Sequence, residues 1–183
     1  MSRKPRIWFP GAIYHITSRG NRKAAIFYVK KDYERYLELL EATRRTYPFI
    51  LHSYCLMPNH IHLLLETIDT HPKEIMRMLH SKYAIYFNKR YDLVGHVFQG
   101  RYGAKLIDSP DYLSQASRYI HLNPVEANLA SSPEKYPWSS YSAYVLGHPN
   151  PHITTTKLLF YFQTPSNYKL YVESKMTAKN LPS

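Results

Sequence analysis

Met57-Pro58-Asn59-His60-Ile61-His62-Leu63-Leu64-Leu65-Glu66-Thr67 joins a turn signal to a short apolar run. Pro58-Asn59 supplies the turn, and the run after it has the length of a strand rather than a helix. Side chains alternate along a strand, so His60, His62, Leu64 and Glu66 share one face while Ile61, Leu63 and Leu65 share the other. The two histidine Cα atoms then lie ~7 Å apart with both imidazoles on one side, close enough to converge on one divalent cation. Spacing alone is a weak signal: with ten histidines in 183 residues, about one such chain in two carries a His-x-His pair by chance. The pair needs a partner elsewhere in the chain.

Working upstream, residues 49–56 read as the strand that enters the Pro58-Asn59 hairpin. Residues 31–47 read as a helix, with Tyr33, Tyr36, Leu37, Leu40 and Tyr47 at helical spacing and Pro48 as the stop. Residues 12–18 read as a first strand. Arg19-Gly20-Asn21-Arg22-Lys23 follows as a basic turn, suited to gripping phosphates and equally to being a solvated loop. Residues 2–6 make a basic lead-in.

Downstream, Pro72 opens a second helix with Met76, Leu79, Tyr83, Tyr86 and Phe87 as its apolar stripe. A glycine-flanked loop, Gly95-His96-Val97-Phe98-Gln99-Gly100-Arg101, leads to a fourth strand at 104–108. The order β-α-β-β-α-β predicts an α+β, ferredoxin-like split βαβ fold, with a four-stranded antiparallel sheet and two helices on one face. The opposite face, carrying His60 and His62, needs a cover.

Ser109-Pro110-Asp111 starts a third helix: a capping serine, proline at the first position and an acid at the positive dipole end. Pro124 is expected to end it at Leu122 or Asn123. Tyr112, Ala116, Tyr119 and Asn123 form one stripe, with Tyr119 and Asn123 a turn apart (~6 Å). A phenol and a carboxamide oxygen can thus face the same cation. Equally, Tyr119 fits a core tyrosine and Asn123 the N-cap of a short helix. A phenol is a weak nucleophile at neutral pH and needs a metal or a base to attack phosphate. Mixed nitrogen and oxygen ligands beside a phosphate suit Mg²⁺ or Mn²⁺.

Composition narrows the partners. Lys and Arg number 24 against 13 Asp and Glu, a formal charge of +11, which favours a polyanion. Eighteen tyrosines can stack on unpaired bases, although most of them are expected in cores. The single Cys55 excludes an internal disulfide and a cysteine zinc cluster. No leader and no membrane-length apolar run is read, so the cytoplasm is expected, with nucleic acid as the anion.

His60-Ile61-His62 in its context resembles the histidine-hydrophobic-histidine motif of single-tyrosine transposases of the insertion-sequence type. Ser117-Arg118-Tyr119-Ile120-His121-Leu122-Asn123-Pro124-Val125 resembles the tyrosine helix of their REP-associated branch. Arg19-Gly20-Asn21, the 95–101 loop and Tyr136-Pro137-Trp138-Ser139-Ser140-Tyr141 fit the same pattern. The resemblance spans about residues 8–145. It implies a homodimer with the ferredoxin-like fold and a divalent metal, acting on single-stranded DNA with hairpins. Its tyrosine attacks DNA to leave a 5′-phosphotyrosine and a free 3′-hydroxyl. Carried over, Tyr119 is the nucleophile, His60, His62 and Asn123 are the metal ligands, and Arg19, Asn21, Arg22, Arg101 and Arg118 contact DNA. Glu126-Ala127-Asn128 stands where the family carries Arg-Ala-Gly, which removes one cation.

Residues 1–130 are read as the transposase domain and 131–183 as a helical extension, with a short helix at 138–146 and weak helices at 156–162 and 167–178. Besides a plain RNA-binding ferredoxin-like module that reads bases with aromatics on its sheet, made less favourable by two histidines on the open face, two rival functions start from the same residues. One is a non-catalytic, domesticated protein that binds hairpin DNA. The other is a cupin-type metal enzyme using His60, His62 and Glu66, which would require an all-β chain.

Overall fold

The computed structural model describes residues 7–179; the basic lead-in lies outside them. The chain runs β1 (Ile13–Arg19), α1 (Lys30–Thr46), β2 (Phe49–Met57), β3 (His60–Thr67), α2 (Pro72–Tyr91), β4 (Gly103–Ile107) and α3 (Pro110–Glu126). Three more helices follow: α4 (Tyr141–Val145), α5 (Thr156–Phe162) and α6 (Pro165–Lys179). The strands form one antiparallel sheet in the order β2-β3-β1-β4, the split βαβ arrangement expected of the element order. Pro58-Asn59 closes the β2–β3 hairpin with Met57 opposite His60. The Pro58 carbonyl accepts from the backbone N–H groups of Ile26 and Phe27, which pins the turn against the start of α1.

The alternation on β3 sorts the molecule into two cores. Ile61, Leu63 and Leu65 are buried with Tyr36 and Leu40 of α1 and with Ile75, Leu79 and Tyr83 of α2. On the other face, Leu64 and Cys55 are buried with Leu113, Ala116 and Ile120 of α3 and with Tyr141, Tyr144, Tyr168 and Val172 of α4 and α6. The cover required for the histidine face is therefore α3 braced by the C-terminal helices. Cys55 is a buried thiol, as expected, and burial pushes it well above its ordinary pKa.

Two local expectations fail. Pro124 does not end α3, which continues through it to Glu126. Proline forfeits one N–H near the helix end. The three N–H groups just past the helix still find acceptors: Ala127 on Asn123, Asn128 on Val125 and Leu129 on Pro124. Asn123 is accordingly a helical residue and not the N-cap of a separate helix. The helix expected at 138–146 shortens to Tyr141–Val145 because Trp138 and Ser139 are used otherwise. The Trp138 carbonyl accepts from Leu56 N–H, and Ser139 bridges to Cys55, extending the sheet edge.

Candidate functional site

Pairing of β1 with β3 places Thr17 opposite His62 and Arg19 opposite His60. The end of the sheet face that α3 leaves accessible therefore carries two imidazoles and a guanidinium. The rings of His60 and His62 lie edge to face, 5.0 Å between centroids. Tyr119 projects from α3 over them, its ring 5.5 Å from that of His62 and perpendicular to it. At 42% exposure the phenol is open to solvent, which a packed core tyrosine would not be.

The histidine nitrogens are not equivalent. His60 Nδ1 is hydrogen-bonded with Asn59 Oδ1 at 2.7 Å, which leaves Nε2 for the site. His62 is 5% exposed, and its Nε2 is buried with no hydrogen-bond partner. Burial first, then the positive charge of Arg19, lowers the pKa of His60. Burial, His15, His60 and Arg19 together push His62 down to about 3. Both rings are thus neutral at physiological pH, the state in which imidazole ligates metal.

Asn123 donates its Nδ2 to the Tyr119 carbonyl at 2.8 Å, which turns its Oδ1 away from the helix. That side chain eases protonation of both histidines, yet no aligned hydrogen bond reaches His62 Nε2. An orphaned imidazole nitrogen, a second free one and a nearby amide oxygen fit a divalent cation. Among the described residues no three His, Cys, Asp or Glu side chains gather for a metal, which makes this amide oxygen the candidate for a third protein donor. Glu66 is no candidate. It accepts from His52 Nε2 at 2.7 Å and from Lys157 Nζ at 2.6 Å, four residues along β3 and ~13 Å from His62. That engagement and the α+β fold remove the cupin reading.

Two clefts flank Tyr119. One, of about 390 Å³, is lined by Ser18, Arg19, His60, His62, Gln99 and Arg101. The other, of about 660 Å³, is lined by His15, Lys105, Tyr112, Gln115, Arg118 and Lys175. The basic turn and the 95–101 loop are held together at the first cleft. Asn21 N–H donates to Val97, and Gln99 N–H donates to Arg19, both at 2.8 Å. Gly20 is required there, because a Cβ would sit 2.0 Å from the Ala24 carbonyl oxygen.

Of the residues singled out from sequence, His60, His62, Asn123, Tyr119, Arg19 and Arg101 come together. Asn21 and Arg22 are exposed on the adjoining turn and line neither cleft. Arg118 lies on the far side of Tyr119, its guanidinium 4.4 Å from the centre of the Tyr171 ring. Glu126, at the position of the missing family cation, comes within 3.8 Å of Lys175 in α6. Sequence reasoning missed His15, Thr17 and Gln99. The strand alternation of β1 places His15 and Thr17 on the histidine face, a signal that was available once β1 is paired with β3.

No curated protein matches the chain. Among solved structures it superimposes on a REP-associated tyrosine transposase bound to a REP hairpin with a TM-score of 0.68. That match is 19% identical and covers 84% of this chain and 91% of that one, a likeness of fold. A protein from Deinococcus radiodurans described as a transposase matches more loosely: TM-score 0.46, 17% identity, 65% of this chain and 95% of that one. No described helix is long and apolar enough to cross a membrane. The sequence model of IS200-like transposases matches residues 9–123, nearly the whole of the sheet, its two helices and the tyrosine helix, and the chain therefore belongs to the IS200-like transposase family.

Proposed function

We propose that this protein cleaves and rejoins single-stranded DNA carrying hairpins through a covalent intermediate on Tyr119, as a member of the REP-associated branch. The observation that carries the reading is the solvent-open Tyr119 phenol standing over His60 and His62 in a cleft that also holds Arg19 and Arg101. In cleavage the Tyr119 Oη–P bond forms and the P–O3′ bond breaks. The phenolic proton passes to solvent, and the departing 3′ oxygen takes one up. A 5′-phosphotyrosine and a 3′-hydroxyl result. Rejoining is the reverse, with a 3′-hydroxyl attacking the phosphotyrosine and Tyr119 leaving.

His60, His62 and Asn123 would hold Mg²⁺ or Mn²⁺, whose chemistry there is to polarise a phosphoryl oxygen and offset its growing charge. Arg19 and Arg101 steady the scissile phosphate from the cleft wall. Asn21 and Arg22 take the strand beyond it, and Arg118 takes DNA on the opposite side of Tyr119. The transposase domain of residues 1–130 carries the chemistry, and the described helices of the 131–183 extension brace α3 over the sheet. The protein works in the cytoplasm, where its DNA is. In the homodimer that we propose, each subunit carries a whole site, since Tyr119 and both histidines meet within one chain.

A covalent-adduct assay tests this. The chain is incubated with single-stranded hairpin oligonucleotides from the flanks of its own gene, with Mn²⁺ or Mg²⁺, and then denatured. We expect a protein–DNA band that needs metal and is lost in Tyr119→Phe and His62→Ala. Tight hairpin binding without any adduct would replace this reading with that of a domesticated DNA-binding protein.

A further inference from the structure

His15 on β1 touches the site from beneath and has no part in the chemistry above. Its Nε2 lies 3.0 Å from His62 Nδ1, the two rings are 5.2 Å apart, and its ring also meets the edge of Tyr119 at 5.7 Å. A hydrogen bond between two ring nitrogens needs one proton, and there are two ways to place it. If it sits on His15 Nε2, His62 must carry its own proton on Nε2. That N–H would be buried without an aligned acceptor and closed to a cation. If it sits on His62 Nδ1, then His62 Nε2 is a bare lone pair facing the site. Only the second arrangement makes a ligand of His62.

We propose that His15 is a positioning residue that accepts the Nδ1 proton of His62, fixing its tautomer and ring plane so that Nε2 is presented to a divalent cation. The inference rests on the metal-site reading above. Metal-bound histidines commonly give their second N–H to a carboxylate or a carbonyl. Here the neighbouring strand supplies an imidazole instead. Among the described residues the hydrogen bond found at His62 Nδ1 is the one with His15; the cross-strand neighbours of His62 are Thr17 on β1 and Cys55 on β2.

Two variants separate the hydrogen bond from the packing. His15→Gln places an amide oxygen near the position of Nε2 and keeps the acceptor. His15→Phe keeps an aromatic ring against Tyr119 and removes it. The first readout is the ¹⁵N spectrum of the His62 ring in the full-length, metal-free protein, which reports the tautomer directly. The second is Mn²⁺ affinity in the absence of DNA, with a thermal melt as control.

The expected result is a wild-type His62 protonated on Nδ1, unchanged in His15→Gln. In His15→Phe a share of the ring moves to the Nε2–H form and Mn²⁺ binds about tenfold more weakly or worse, while the melt persists. A wild-type His62 protonated on Nε2 overturns the proposal. So does a His15→Phe protein with the same tautomer and the same Mn²⁺ affinity. Failure of the underlying metal reading has its own signature: a wild-type chain with His62 protonated on Nδ1 that binds no Mn²⁺. That result would also remove the purpose of the contact, and the proposal with it.

Discussion

Ser117 and His121 lie one turn apart on one face of α3, and Tyr119 and Asn123 lie one turn apart on another, about 200° round the axis. On the first face every polar atom is matched. His121 Nδ1 meets the Tyr168 hydroxyl at 2.7 Å, and its Nε2 meets Ser140 Oγ at 2.8 Å. Ser117 Oγ meets the same Tyr168 hydroxyl and Ser53 Oγ. On the second face, the phenol is exposed and His62 below it keeps a buried nitrogen without a partner. The same residue types thus build a latch on one side and an open, incompletely paired surface on the other. What distinguishes them is completion: the first face is a satisfied polar network, which specifies structure, whereas the second keeps a buried nitrogen beside an open cleft, where a ligand can reach it.

The sharpest way to break the comparison is to remove one hydroxyl from each face. Tyr119→Phe should abolish the covalent adduct while shifting the denaturation midpoint hardly at all, because an exposed phenol contributes little to stability. Tyr168→Phe deletes the shared partner of Ser117 and His121 in a fully buried network. It should cost about 1–3 kcal/mol and leave adduct yield per folded molecule intact. Denaturant titration and a gel read both. Equal behaviour of the two variants in either assay would erase the distinction.

Histidines give the next contrast. His62→Ala should weaken Mn²⁺ binding by about a hundredfold or more, since it removes a proposed ligand outright. His121→Ala should leave Mn²⁺ binding alone and destabilise by roughly 2–4 kcal/mol through a cavity and stranded hydroxyls. Calorimetric titration with Mn²⁺ beside a melt for each variant decides it. A His121→Ala protein that melts normally would show the latch to be dispensable.

Acid should open the latch. Burial pushes His121 down to about 3, below an unfolded value near 6.5. The native state therefore binds fewer protons than the unfolded chain between these values, and stability rises with pH. His121 makes its full contribution above about pH 6.5 and loses it as pH falls towards 3. The groups facing it, Tyr141, Tyr144 and Tyr168, have pKa values raised by burial and stay neutral throughout, so they offer no compensation. His121→Gln should flatten the fall in melting temperature across this window. A residual slope will remain from His15, His52, His60, His62 and His80, whose pKa values are also lowered, in each case first by burial.

The two faces were unequally legible in the sequence. The β-α-β-β-α-β order and the shared face of His60 and His62 follow from periods of two and 3.6 alone. The stripe of Tyr119 and Asn123 could be counted off in the same way. His15 could not, because its role needs the β1–β3 pairing and its register, which belong to the folded sheet. The latch was hidden for another reason. Tyr168 and Val172 are fully buried in a helix whose other residues are largely polar, so its pattern looked like a weak surface helix. Pro124 misled because the bias against a helical residue before proline is a tendency and not a bar: Asn123 stays helical, and the helix runs only two residues past the proline.

Arg118 sits between the two faces and gives the smallest expected effect. It is half-buried, lines the larger cleft beside Tyr119 and stacks on Tyr171 of α6. If it serves the latch, Arg118→Gln should cost about 0.5–1 kcal/mol, the worth of a cation–π contact near the surface, and leave hairpin affinity unchanged. If it serves the DNA, affinity should fall for all sequences alike, and the slope of log affinity against log salt should shrink by about one. Its place at the mouth of the cleft, one residue before Tyr119, favours the fall in affinity, together with the small stability cost. A guanidinium stacked on a ring still has its N–H edge free to meet a phosphate. Hairpin binding measured at several salt concentrations, with a denaturant melt of the same variant, gives both numbers. A loss of stability with an unchanged salt slope would assign Arg118 to the latch alone and confine the DNA path to the Arg19 and Arg101 side of Tyr119.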